Sequence, residues 1–152
     1  MSKQAYIVPA LGKALDRLQP YGLPLLRITA GVVFMAHGYS KIKAGFFGDG
    51  LDGLAGALEG KGFHPGIMWV YLAMLNEFFG GLAIALGLFT RLFAIPAALM
   101  MWLITVAYKG LGTFFAHQGG FEYDLVLAVI FTVLAILGSG GYSVDSKLKK
   151  TF

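Results

Sequence analysis

Glu77 is the one charged side chain in a 23-residue apolar run from Ile67 to Phe89. Charge inside hydrocarbon costs at least ~2.5–3.5 kcal/mol, so a carboxylate there is paired, protonated or at work. At 1.5 Å per residue it lies about 15 Å from the start of the run, near the middle of a bilayer. The helical period sets Gly80, Gly81, Ile84 and Leu88 on its face, and the glycines admit another helix closely. His37 and Lys41 stand one turn apart near the far end of a different apolar run, Leu23 to Ile42. Glu122 and Asp124 open a last one, with His117 just before them. A helical bundle is thus expected to gather Glu77, Asn76, His37, Lys41 and Glu122, with His117 close by, into one polar cluster. A carboxylate beside an imidazole and an amine there suits proton exchange with a bound molecule. Asp124, 200° from Glu122 on a helix, is expected to face elsewhere. Arg27, Arg91, Tyr142, Ser143 and Asp145 collect at the opposite end, where Asp145 is expected to pair with Arg27 or Arg91.

Each residue also has a plainer role. Glu77 with a basic partner fixes helix register. His37 suits a satisfied interior histidine, Lys41 and Lys43 can snorkel, and Glu122 complements a helix N-terminus. The three histidines, His37, His64 and His117, lack ligand-like spacing, so no metal site is expected. Absence of Cys excludes a disulfide, a CxxC redox pair, a thiolate-held iron–sulfur cluster and a Cys nucleophile. No glycine-rich phosphate loop is present either. Redox work by this chain would need a borrowed cofactor.

The elements that must position these groups are membrane helices. With 57% hydrophobic and 13% charged residues in 152, the composition lies far from the soluble pattern. The apolar runs predict an all-α membrane protein, a four-transmembrane-helix bundle with spans near 23–42, 67–89, 92–108 and 122–137. Residues 1–21 lack the continuous apolar core of a cleavable signal. Val8, Leu11, Leu15 and Leu18 share one face there, opposite Lys13, Asp16 and Arg17, which predicts an N-terminal amphipathic interfacial helix. Between the first two spans, Leu51, Leu54 and Leu58 predict a short surface helix in glycine-rich surroundings. Spans two and three must form a tight hairpin, turning at Thr90 and Arg91. The domain of 22–146 ends in a basic tail, 138–152.

Four spans leave both termini on one side. That side collects Lys3, Lys13, Arg17, Arg27, Arg91, Lys147, Lys149 and Lys150, eight of the 12 Lys and Arg, against Lys41, Lys43, Lys61 and Lys109 opposite. The bias predicts cytoplasmic termini. Basic residues confined to loops and ends, despite a net charge of +4, make the bilayer the expected partner and nucleic acid not.

Three stretches resemble a known family. LLRITAGVVFMAHGYSKI, NEFFGGLAIALGLFTRLFA and GGFEYDLVLAVIFTVLAILGSGGYSVD together resemble the DoxX family of small four-helix bacterial membrane proteins over residues 22–146. The most specific pieces are Glu77, Gly80, Gly81, Leu82, Gly87, Leu88, Thr90 and Arg91, and the closing Gly138, Gly140, Tyr142, Ser143 and Asp145. The resemblance implies a bacterial inner-membrane protein associated with oxidoreductases. It raises the weight on Arg27, His37, Glu77, Arg91, Glu122 and Asp145. The expected function is that of an accessory or electron-transfer subunit of a quinone-linked oxidoreductase. Glu77 and His37 would be its reacting residues, and Lys41, Asn76 and Glu122 its ligand contacts. No cofactor is expected to be covalently bound, a quinone is the one implied, and other oxidoreductase subunits or a second copy of the chain are the implied partners. A proton-coupled transporter subunit and a purely structural assembly protein are the alternatives.

Overall fold

A computed structural model describes residues 6–48 and 50–148; Lys3, Lys149 and Lys150 of the charge count, and the outer ends of the expected N-terminal helix and basic tail, lie outside the described residues. Every regular element among the described residues is helical. The first, α1, runs from Pro9 to Phe47 without interruption. Its 39 residues span about 58 Å at 1.5 Å per residue. The sequence reading sets a boundary after residue 21, yet the helix passes straight through it. Pro20 and Pro24 each forfeit one backbone hydrogen bond but keep a helical φ, so neither ends the helix. Leu11, Leu15, Leu18, Tyr21 and Leu25 form an outward-facing stripe along its first half, each more than half exposed.

The short α2 (Asp52–Glu59) packs on the start of α3 (Gly66–Leu86), where Leu51, Ala55 and Val70 are buried together. A Glu59 carboxylate oxygen accepts the Gly66 N–H at 2.9 Å and so caps α3, whose first N–H groups have no intrahelical partner. One π turn, Asn76–Gly80, interrupts α3 at the level of Glu77. Gly87 ends α3 in the left-handed region at φ 70°, with the Leu88 N–H returning to the Ala83 carbonyl. Because of that cap the hairpin turn is Gly87–Phe89, and Thr90 and Arg91, expected in the turn, begin α4 (Thr90–Lys109). The last six residues of α4, from Ile104, are again π-helical. There Thr105 bonds back to the Met101 carbonyl at 2.8 Å. Finally α5 (Glu122–Leu137) lies along α4.

Helices α1, α3, α4 and α5 contribute to one core. Phe34 of α1 meets Phe131 of α5 with ring centroids 4.7 Å apart. Ile84 of α3 and Ala94 and Ala97 of α4 are fully buried beside them. The approach of α1 to α3 depends on glycine. A Cβ on Gly81 would stand 2.5 Å from the Met35 nitrogen, and one on Gly31 would stand 2.6 Å from the Gly81 oxygen. Among the described residues, two of the four expected spans, α3 and α4, are long and apolar enough to cross a membrane. Leucine, isoleucine and valine side chains also stand exposed around the molecule, among them Leu72, Leu75, Leu99, Leu103, Val126 and Ile136. So much exposed apolar surface calls for contact with hydrocarbon or protein.

Candidate functional site

Four helices converge on a cavity of about 160 Å³. From α1 come Phe34, His37 and Lys41, spaced three and four residues apart on one face. Helix α3 supplies Glu77, α4 supplies Met101 and Ile104, and α5 supplies Tyr123, Asp124 and Leu127. Phe34, Met101, Ile104 and Leu127 make an apolar floor under the polar groups.

The Lys41 ammonium lies 2.5 Å from a Glu77 carboxylate oxygen. Glu77 is 5% exposed, and the π turn that carries it is the kind of helix irregularity that recurs at functional sites. At the cavity's mouth the Tyr123 hydroxyl meets His37 Nε2 at 3.3 Å, a pair in which either group can donate. A second ion pair joins Lys109 Nζ to Asp124 Oδ2 at 2.7 Å, and Lys109 also donates to the Gly120 carbonyl at 3.0 Å. The lining therefore holds two acids, Glu77 with its amine Lys41 and Asp124 whose amine Lys109 lies outside the cavity, and an imidazole–phenol pair beside them. Such a set can donate to and accept from a polar head entering from the mouth, while the floor receives its apolar part.

The structure brings together three of the expected cluster: Glu77, His37 and Lys41. Glu122 lies elsewhere, its carboxylate accepting the Ala116 N–H at 3.0 Å in the loop before α5. Asp124 takes the place expected for Glu122. The cause is helix phase: Asp124 shares the buried face of α5 with Leu127, Ala128, Phe131 and Leu134, and Glu122 does not. That face is readable from the three- and four-residue spacing, so Asp124 was within reach of sequence reasoning. Asn76 also falls outside the cavity. Its amide points at the Met100 sulfur, 3.6 Å away, in a separate groove between α3 and α4. His117 stacks near Phe115 on the exposed loop. Tyr123 and Lys109 were missed, because an aromatic and a lysine at helix ends look like interface anchors.

The opposite end of the molecule departs from expectation in form. Asp145 accepts the Phe89 N–H at 2.6 Å and the Thr90 N–H at 3.0 Å, one with each carboxylate oxygen. It caps α4, since the first N–H groups of a helix lack internal partners and a carboxylate satisfies two at once, and its charge also acts on the nearby Arg27 guanidinium, the arginine partner expected from the sequence. Arg27, 1% exposed, donates to the Tyr142 carbonyl at 3.1 Å. Its guanidinium lies so close over Gly87 that no Cβ fits there. Arg91 donates to the Ile136 carbonyl at 3.2 Å. The chain's closing segment is thereby zipped to the α3–α4 turn, with Val144 and Asp145 N–H groups on the Leu86 and Gly87 carbonyls.

The family description DoxX matches residues 22–118. "Inner membrane protein YqjF" of Escherichia coli is 32% identical over 144 residues, 90% of this chain and 98% of that protein. "Putative oxidoreductase CatD" of Bacillus subtilis is 30% identical over 126 residues, 82% of this chain and 84% of that protein. No solved structure matches the chain significantly.

Proposed function

The chain belongs to the DoxX family, and from that premise we propose that it is an inner-membrane subunit of a quinone-linked oxidoreductase system, with the head group received in the Lys41–Glu77 cavity. In this reading α1, α3, α4 and α5 all cross the bilayer, both termini are cytoplasmic, and the cavity opens toward the outer side. The observation that carries it is the Lys41–Glu77 pair, its carboxylate buried, lying over an apolar floor beside the His37–Tyr123 pair. The oxidoreductase named among its relatives supports the same class.

The residues present fit such a head: donors at the rim for its carbonyl oxygens, and the apolar side chains of Phe34, Met101, Ile104 and Leu127 for its ring. When bound, a quinone supplies the two-electron, two-proton chemistry that no side chain of this Cys-free chain possesses. His37 and Tyr123 donate to a carbonyl oxygen and orient the ring. Glu77 exchanges a proton with the bound head, and Lys41 holds the carboxylate in place while it does so. Asp124 and Lys109 keep a second charge pair at the edge of the cavity. Electrons enter and leave through a partner subunit.

A structural reading draws on the same ion pair, which would then only fix the register of α1 on α3. Stability and quinone-dependent activity of Glu77→Gln and His37→Ala, measured in membranes containing the native partners, separate the two. The proposal expects both variants to fold and to lose activity. Retained activity in both well-folded variants would leave the structural reading standing.

A further inference from the structure

A second and larger cavity, about 340 Å³, runs as a groove between α3 and α4. Its walls include Ala73 and Asn76 of α3 and Pro96, Met100, Leu103 and Tyr108 of α4. From Pro96 to Tyr108 it follows α4 for about 18 Å along the helix axis. The groove is elongated and, apart from the Asn76 amide and the polar tips of Trp69 and Tyr108, apolar. Its volume equals that of about eleven waters at ~30 Å³ each, but an apolar lining does not hold water. Hydrocarbon is the filling such a lining accepts.

Ile104 lines both this groove and the ion-pair cavity. Neighbours in the chain are divided between the two: Asn76 and Met100 border the groove, while Glu77 and Met101 border the cavity. The partition is therefore about one side chain thick, and it lies where both helices depart from α geometry, at Asn76–Gly80 and from Ile104 onward. Asn76 places an amide at this threshold, and its hydrogen-bond partner among the described residues is only a thioether sulfur.

We propose that the groove holds the hydrocarbon chain of the amphiphile whose polar head occupies the ion-pair cavity, with Ile104 as the sill over which the chain passes. The ligand class is thus a lipophilic head carrying a linear chain, as opposed to a tailless, water-soluble head. This rests on the head-group reading above. It adds that the α3–α4 groove selects for the tail.

The test uses the full chain in nanodiscs and two probes, the tailless dimethoxy-methyl-benzoquinone and its decyl derivative, with binding read by quenching of tryptophan fluorescence. Comparing the ratio of the two affinities between variants cancels the partition of each probe into lipid. Ala73→Phe fills the groove from α3, and Leu103→Phe fills it from the exposed edge of α4, where misfolding is least expected. Each should weaken decyl binding by about tenfold or more, the effect of turning about two buried CH₂ groups out of the groove. Affinity for the tailless probe should stay the same. An unchanged ratio in both folded variants would overturn the tail site and leave the head site intact. Failure of the unsubstituted chain to bind either probe would overturn both. Quenching of Trp69 by brominated phospholipid at saturating decyl probe, in a Trp102→Phe background, would assign the groove to ordinary lipid and overturn the proposal.

Discussion

Removing the two partners of the Lys41–Glu77 pair one at a time should have unequal effects. The Lys41 side chain keeps 20% of its surface exposed and that of Glu77 only 7%. When the Glu77 charge is removed by Glu77→Gln, the Lys41 stem can swing its ammonium outward along the helix, as lysines near membrane interfaces do. When Lys41→Met removes the amine, the carboxylate has no such route, being short and set on a buried face. Loss of one partner of a buried pair costs ~3–5 kcal/mol when the other is stranded. We therefore expect Lys41→Met to approach that range and Glu77→Gln to cost about half as much. The double variant, with neither charge, should be less destabilised than Lys41→Met alone, because well-matched uncharged groups replace buried pairs at little cost. A double-mutant cycle should return a coupling larger than the Glu77→Gln loss itself, above ~2 kcal/mol, because the double variant is less destabilised than Lys41→Met alone. Unfolding of the full chain by SDS titration in mixed micelles, followed by circular dichroism, measures all four. Equal losses from the two single variants would refute the reasoning about who can reach water. A coupling below ~0.5 kcal/mol would refute the pair's energetic role altogether.

Two further outcomes are expected. Asp145→Ala should destabilise the chain by ~1–2 kcal/mol, the usual effect of removing a helix cap, since it leaves the Phe89 and Thr90 N–H groups unmatched; an unchanged melting midpoint in detergent would count against the capping role. For the proposed topology, a single Cys in place of Ala57, an exposed position on α2 in a chain that has no Cys of its own, should react with a membrane-impermeant label in intact cells; labelling only after membrane rupture would reverse the orientation.

Much was legible in the chain itself. An almost uncharged 23-residue run cannot remain in water, so the helix around Glu77 follows from composition and length alone. So does the isolation of Glu77 within it, because residue type and helical rise suffice to estimate depth. That His37 and Lys41 share a helical face also follows from spacing. Three decisions needed tertiary structure. Which acid at the head of α5 enters the cavity was settled by the helix's phase against α4 and α1, which favoured Asp124 over Glu122. Which side of α3 Asn76 occupies depended on packing around the π turn, which divides adjacent residues 76 and 77 between two cavities. That Asp145 also caps the backbone at Phe89 and Thr90 was a tertiary matter, since the left-handed cap at Gly87 leaves only three residues between α3 and α4 and turns those N–H groups toward it. Periodicity and charge act along one helix and are written in order. Phase between helices, and the backbone donors left over at their ends, exist only once the helices have met.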